Sequence, residues 1–253
     1  MLLVISPAKT LDFSVQTVVQ VKTHPQFIRK SEQLIEIITK FTPQNLQKLL
    51  DVSDKLTALN YERFLHWNSK DFELAKQAVF AFHGDVYEGL NVSTLTEKSL
   101  MKLQRQLRIL SGLYGVLKPF DAILPHRLEM GTPLVNSKGK DLYAFWGDEI
   151  TKYILNEIDV EKHSYLVNLA SNEYFKSVHI KDISIPIITP VFKDFRNEKL
   201  QMISFYAKRA RGLMVRYIVE NDVTKPEDLI GFDYEGYMYD SNLSSKFEYV
   251  FTR

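Results

Sequence analysis

The chain has 253 residues, 45% of them hydrophobic and 25% charged, and a formal net charge of +1. This is enough chain to bury a real core, and it excludes disordered, fibrous and overall strongly basic classes. The absence of cysteine removes disulfides and thiolate metal sites from consideration and fits a reducing compartment. "MLLVISPAKTL" has no basic leader and too short an apolar run for a signal peptide, and no run of about 18 apolar residues follows it. A cytoplasmic protein without a membrane partner is expected. No repeat, low-complexity stretch or Pro/Gly/Ser linker breaks the sequence, so residues 1–253 are expected to form one domain.

In chain order, "LLVIS" reads as a buried strand. "HPQFIRKSEQLIEIITKF" spaces Phe27, Ile28, Leu34, Ile35, Ile38 and Phe41 as one helical stripe. Two further helices follow. The first has Thr42 as N-cap and Pro43 at its first position; the second starts near Ser53. "AVFAF" is a short strand candidate that ends at His83-Gly84-Asp85. The Thr94–Glu97 spacing predicts a capping box at the start of a helix. "RILSGLYGVL" reads as a strand entering a glycine turn, and "DLYAFWGDEITKYILNEI" as one helix that tolerates Gly147. "YLVNLAS" is a strand. "IPIITPVF" is another, whose prolines favour a sheet edge. "ISFYAKRARGLMVRYIVEN" is a strong helix, and the alternation in "GYMYDSNLSSKFEYVFT" predicts a hairpin. Helices and strands intermix, so the expected class is α/β or mixed α+β around a central mixed sheet.

Chemistry-bearing residues gather where strands should end. The first group is "SPAKTLDF", with Ser6, Lys9, Thr10 and Asp12 directly after a strand. Ser6-x-x-Lys9 has the spacing of a serine–lysine hydrolase, but the companion Lys-Thr-Gly is missing and "AKTL" stands instead. A strand running into Ser, Lys and Thr also suits an anion, although no complete P-loop or dinucleotide fingerprint is present. The segments 83–87, 111–115 and 168–174 likewise put polar residues after apolar runs. For each alone, ordinary turn and cap chemistry is the simpler reading. Together with Ser6–Asp12 they point to one shared pocket at the strand ends, holding Asp85, Tyr87, Asn172 and Glu173. The six histidines are scattered without metal-ligand spacing, so neither a metal nor a cofactor is expected.

Charge is unevenly distributed. Residues 190–220 hold seven Lys/Arg against three acids, and residues 222–253 hold seven acids against three bases. In the basic helix, Lys208 and Arg211 share one face, while Arg209 and Arg216 share a neighbouring one. Gly212 lies among them, where it costs about 1 kcal/mol against alanine unless a backbone or ligand approaches closely. The helix pair within residues 49–64 is a candidate helix-hairpin-helix, with Ser53, Lys55 and Arg63 facing a phosphate backbone. It lacks the usual Gly-x-Gly. Plain scaffolding is the simpler reading of such a pair, and residues 111–115 are a weaker rival.

"LLVISPAKTLDF", "FHGDVYEGL", "LRILSGLYGVLKPFDAILPHRLEMGTPL", "KDLYAFWGDEIT", "LVNLASNEYFKSV", "ISFYAKRARGLMVRYI" and "YVFTR" together resemble the bacterial peroxide-stress protein YaaA family over essentially the whole chain. The resemblance implies a single-domain α/β fold with a positively charged cleft and a helix-hairpin-helix. It also implies a role in the hydrogen-peroxide response, limiting damage from free iron and peroxide. The ligand it implies is duplex DNA, including bubbled and branched forms, bound with little sequence preference. Position by position, Ser6, Lys9, Thr10 and Asp12 match the N-terminal signature, and Lys208, Arg209, Arg211 and Arg216 match the basic helix. Lys9, Thr10, Ser53, Lys55, Arg63, Lys193, Lys208, Arg209, Arg211 and Arg216 are therefore the expected DNA contacts, on a chain expected to be monomeric. The density of acids and tyrosines keeps a second expectation open. This is an enzyme acting on a nucleotide or nucleic-acid base, with catalytic candidates Ser6, Lys9, Asp12, Asp85, Tyr87 and Glu173. Direct iron sequestration has little support without cysteines or paired histidines.

Overall fold

The computed structural model describes residues 1–14 and 19–253. The first apolar run is strand β1, Leu2–Ile5, with every residue buried, as an unbroken hydrophobic strand requires. A two-residue strand β2, Thr10–Leu11, follows. The expected helical stripe is α1, Ile28–Ile38, which buries Leu34, Ile35 and Ile38. In α2, Pro43–Leu50, the Thr42 hydroxyl accepts the Asn45 N–H at 3.3 Å, as the sequence predicts for a cap. The chain then turns through left-handed Asp51 into α3, Asp54–Leu65, which packs on α2. Ser53 occupies the N-cap position of α3 but makes no capping bond.

"AVFAF" departs from expectation. Lys76–Gln77 is strand β3, Ala78–Ala81 is a single helical turn, α4, and only Phe82–His83 is strand, β4. The 119–121 loop explains the turn: Asp121 and Pro119 carbonyls accept the Ala78 and Val79 N–H groups at 2.9 and 3.0 Å. Helix α5, Asp85–Leu90, comes next, and then α6, Glu97–Gln106. The cap of α6 is Thr96, which accepts the Ser99 N–H, rather than Thr94. The Thr94 hydroxyl instead bonds the Asn91 carbonyl and receives the Arg216 guanidinium.

Strand β5, Leu107–Ser111, turns into β6, Gly115–Leu117, and β7, Ala122–Ile123, pairs with β3. The helix expected over residues 141–158 is two helices, α7, Leu142–Trp146, and α8, Glu149–Val160. Gly147, at φ 52° and ψ −122°, breaks it in a backbone conformation that only glycine adopts without strain. Strand β8, Leu166–Leu169, leads into the short helix α9, Asn172–Phe175. Strand β9, Ile187–Arg196, pairs with β10, Lys199–Gln201, ahead of the long helix α10, Ser204–Glu220. The chain ends in β11, Met238–Tyr239, and β12, Glu248–Thr252, antiparallel as the alternation predicts.

The main sheet has the order β11-β12-β9-β8-β1-β5-β6, with β10 added to β9. The five strands from β12 through β5 run parallel, and β11, β6 and β10 pair antiparallel. Strand β9 is therefore interior, against the edge position that its prolines favour. Pairing with β8 covers only Ile187 and Ile188. Thr189 N–H donates to Phe247 on the β12 side, so the nitrogen of Pro190 points to the flank that β8 has already left, and no ladder bond is lost. One continuous apolar core runs through this α/β arrangement. Strand β1 sits at its centre with β5 on one side and β8 on the other, a topological switch point, and sites in open sheets form at the carboxyl ends of strands at such a point. No helix among the described residues is long and apolar enough to cross a membrane.

Candidate functional site

At the carboxyl ends of β1 and β8 lies a hollow of about 280 Å³. The turn after β1 contributes Ser6, Lys9 and Thr10 to it. Ser6 ties two strand ends together: its hydroxyl accepts the Ser171 N–H at 2.9 Å and donates to the Ser171 hydroxyl at 3.2 Å. The Tyr87 hydroxyl donates to the Ser6 carbonyl at 3.1 Å. Burial pushes that phenol well above its usual range, so it stays a neutral donor. Tyr87 thus holds the β1 turn from behind and does not line the hollow.

Pairing of β2 with β4 carries His83 and Gly84 to the rim. Gly84, at φ 150°, takes a conformation closed to other residues, and the chain swings directly into α5 with Asp85 in its first turn. Asp85 lines the hollow, and its carboxylate makes no hydrogen bond or ion pair among the described residues. From the end of β8 come Ser171, Glu173 and Tyr174. Glu173 accepts the Gly131 N–H at 2.9 Å, and the Tyr143 hydroxyl donates to the Glu173 carbonyl at 2.8 Å. Burial, and then the charge of Glu173, drive the Tyr174 phenol far up.

The remaining wall is α10, through Lys208 and Arg211. Its position is set by Gly212 and Gly89, where α10 and α5 touch backbone to backbone. A Cβ on Gly212 would stand 1.8 Å from the Val86 carbonyl oxygen, and one on Gly89 would stand 2.2 Å from that of Arg209. This close approach is what the helical glycine of the sequence signals, and its partner is backbone. Burial lowers the pKa of Arg211, and neither the Arg211 guanidinium nor the Lys208 ammonium has a hydrogen bond or ion pair among the described residues. Lys9 is mostly exposed and lies 3.5 Å from Glu129, which Arg127 also contacts at 3.1 Å.

The structure thus brings together Ser6, Lys9, Thr10, Asp85, Glu173, Lys208 and Arg211. It places the other expected residues elsewhere. The Asp12 carboxylate accepts from the N–H and hydroxyl of Ser14, outside the hollow. Arg209 pairs with Glu235 at 2.7 Å and reaches Glu88 at 4.0 Å. Arg216 grips Glu220 through two nitrogens and donates to the carbonyls of Leu90 and Asn91, which closes the end of α5. Half of the basic face is therefore structural. Lys193 is half-buried on β9; Ser53 and Lys55 are exposed at the start of α3. Arg63 is partly buried, 3.4 Å from the Asn60 side chain. Segment 111–115 does not reach the main hollow. Only Ser111 lines a small adjoining recess, with His126 and Glu129, and Tyr114 is buried against Trp67. Sequence reasoning missed His126, Arg127 and Glu129. Their signal was the long polar connection between β7 and α7, of a length that compact folds keep mainly for function.

The arrangement offers cations and hydroxyls to an anion, with two carboxylates and a phenol lining the same hollow. Comparison with known proteins agrees with whole-chain kinship. A UPF0246 protein of Shewanella halifaxensis is 51% identical over 255 residues, covering 100% of this chain and 99% of the relative. A UPF0246 protein of Polynucleobacter necessarius is 50% identical over 240 residues, covering 94% and 93%. One from Shewanella sp. strain ANA-3 is 49% identical over 255 residues, covering 100% and 99%. The family model described as "Peroxide stress protein YaaA" matches residues 1–243, and the chain belongs to that family, YaaA/UPF0246.

Proposed function

We propose that the chain serves the peroxide-stress response, to which its family ties it, by binding nucleic-acid phosphate in the hollow at the ends of β1 and β8. One observation carries this reading: Arg211 is half-buried in the wall of the hollow without an anionic partner among the described residues, and Lys208 stands unpaired one helical turn away. A desolvated cation without a counter-charge destabilises the free protein, and a bound phosphate removes that penalty. In this reading the contacts are Lys208, Arg211, Lys9 and Thr10. The α2–α3 hairpin, with Ser53 and Lys55, is a second backbone contact, weaker because Asp51 and Asp54 flank it. The test is duplex-DNA affinity across salt concentrations. Arg211→Ala is expected to weaken binding uniformly across sequences and to flatten the slope of log K against log salt by about 0.9. An Arg211→Ala protein that binds with wild-type affinity and slope overturns the assignment.

A second reading has its own observation. Asp85, Glu173 and Tyr174 face the same hollow of about 280 Å³, which is too small for a duplex and suits a single nucleotide. Carboxylates repel a phosphate backbone but can read or transform a base. If the site acts on a nucleotide, mononucleotides compete with DNA, and Glu173→Gln abolishes turnover while DNA affinity survives.

A further inference from the structure

A second hollow, of about 400 Å³, opens between the β9–β10 ribbon, the first turn of α10 and the chain end, lined by Phe195, Arg196, Ile203, Tyr206, Arg253 and Asp194. Its rings are exposed: Phe195 is 65% accessible and Tyr206 38%, and just outside the hollow Phe205, edge-on to Tyr206 at 5.5 Å, is exposed as well. Soluble proteins seldom cluster exposed rings without a partner. The ring of Tyr206 is held in place. The Arg253 guanidinium stacks over it at 4.8 Å and is itself fixed by Asp194 at 2.6 Å.

The charge around these rings decides what fits them. Lys193, Arg196, Lys199 and Lys208 have no ion pair among the described residues. The acid inside the hollow, Asp194, is committed to Arg253 and to the Tyr237 hydroxyl at 3.0 Å. Flat rings among free cations suit an unpaired base and its flanking phosphates better than an apolar peptide, which would leave the cations unanswered. Both hollows draw on α10: Tyr206 lines this one, and Lys208 and Arg211 line the first. Phe205, Lys208 and Arg211 succeed one another at three-residue spacing, along one ridge of α10.

We infer that this aromatic-cationic hollow binds an unpaired base of a single-stranded stretch of nucleic acid, stacked on Phe195 and Tyr206, with the adjoining phosphates on Arg196 and the α10 ridge. The inference rests on the nucleic-acid reading of the first hollow and adds to it a preference for strands whose bases are free. Stacking is tolerant of base identity, so no sequence preference is expected.

The experiment compares fluorescent oligothymidylate with an abasic strand of equal length, which keeps the phosphates and lacks the bases. Wild-type protein is expected to prefer oligothymidylate by roughly tenfold, the scale of one base on one aromatic ring. Phe195→Ala is expected to remove that preference without changing the salt slope, and Tyr206→Ala, at the second stacking ring, to reduce it. Arg196→Ala is expected to flatten the slope and keep the preference. Salt-dependent binding by wild type with no preference for bases, or a preference that survives Phe195→Ala, overturns the inference and leaves the nucleic-acid reading standing; the surface then fits an apolar peptide. Failure of wild type to bind any strand at moderate salt overturns both.

Discussion

Arg211 stands in the wall of the hollow at a cost to the fold. Arg211 is half-buried, its pKa is lowered by that burial, and no carboxylate among the described residues pairs with it. Residues placed for ligands rather than for stability are expected to be improvable. Methionine keeps most of the stem and removes the charge. Arg211→Met is therefore expected to raise the stability of the free protein, by on the order of 1 kcal/mol, while it weakens phosphate binding. Thermal denaturation with and without DNA checks this. A variant that loses both binding and stability would give Arg211 a structural role. Arg209 and Arg216 make the contrast. The sequence presents four similar cations, and tertiary contacts to Glu235, Glu220 and the end of α5 commit two of them. Which cation is free depends on acids distant in the chain. No spacing along a helix reveals it.

At the scale of elements, the site depends on two helices that touch without side chains between them. Helix α5 carries Asp85 and α10 carries Lys208 and Arg211, and Gly89 and Gly212 let their backbones meet. By propensity alone, Gly212→Ala would stabilise α10 by about 1 kcal/mol. The added Cβ instead meets the Val86 carbonyl, so the helices must part. A net loss of about 3 kcal/mol is expected, with weaker phosphate binding, measurable by denaturant midpoint and titration. A stabilised variant would show that the close contact is absent. The glycine was legible as a sign of close approach, and so were β1, β5, β8 and α10, whose apolar runs and stripes have one reading. Elements that depend on partners were not. α4 forms because the 119–121 loop answers its N–H groups, β9 tolerates Pro190 because β8 stops short, and α7 ends because Gly147 takes a conformation open to it alone. The convergence of Ser6, Asp85 and Glu173 could be anticipated from polar residues at strand ends. The part played by residues 126–129 could not, since a long connection carries no periodicity to place it.

At the scale of the whole molecule, unfolding exposes every buried titratable group at once, so pH reports on the entire fold. His126, beside the site, is 6% accessible. Its Nδ1 lies 2.8 Å from the Leu124 carbonyl, and burial lowers its pKa to about 4. The unfolded ring titrates near 6.5. Between these values the unfolded chain binds the proton and the folded one does not. The stability held by a neutral ring is thus complete above about 6.5 and is lost as pH falls toward 4, on the order of 3 kcal/mol in all. Asp121 works in the opposite sense. Burial raises its pKa to about 6 despite bonds from the Thr23 hydroxyl at 2.6 Å and the Lys118 N–H at 2.7 Å. Its contribution is complete below about 3.9, the unfolded value, and is lost as pH rises through 6. The two opposed limbs overlap between about 4 and 6, and His163, lowered by burial to about 4, adds a second limb of the His126 kind, so the wild-type profile isolates none of them. His126→Asn separates them. The amide can still donate to Leu124 but does not titrate, and the Asp121 limb is common to both proteins and cancels in their difference. The variant is expected to gain on wild type by on the order of 3 kcal/mol as pH is lowered from 7 to 4, in chemical denaturation at stepped pH. A difference that stays constant across that range would mean that the ring takes its proton without leaving the fold, and that the recess beside the site is open to water.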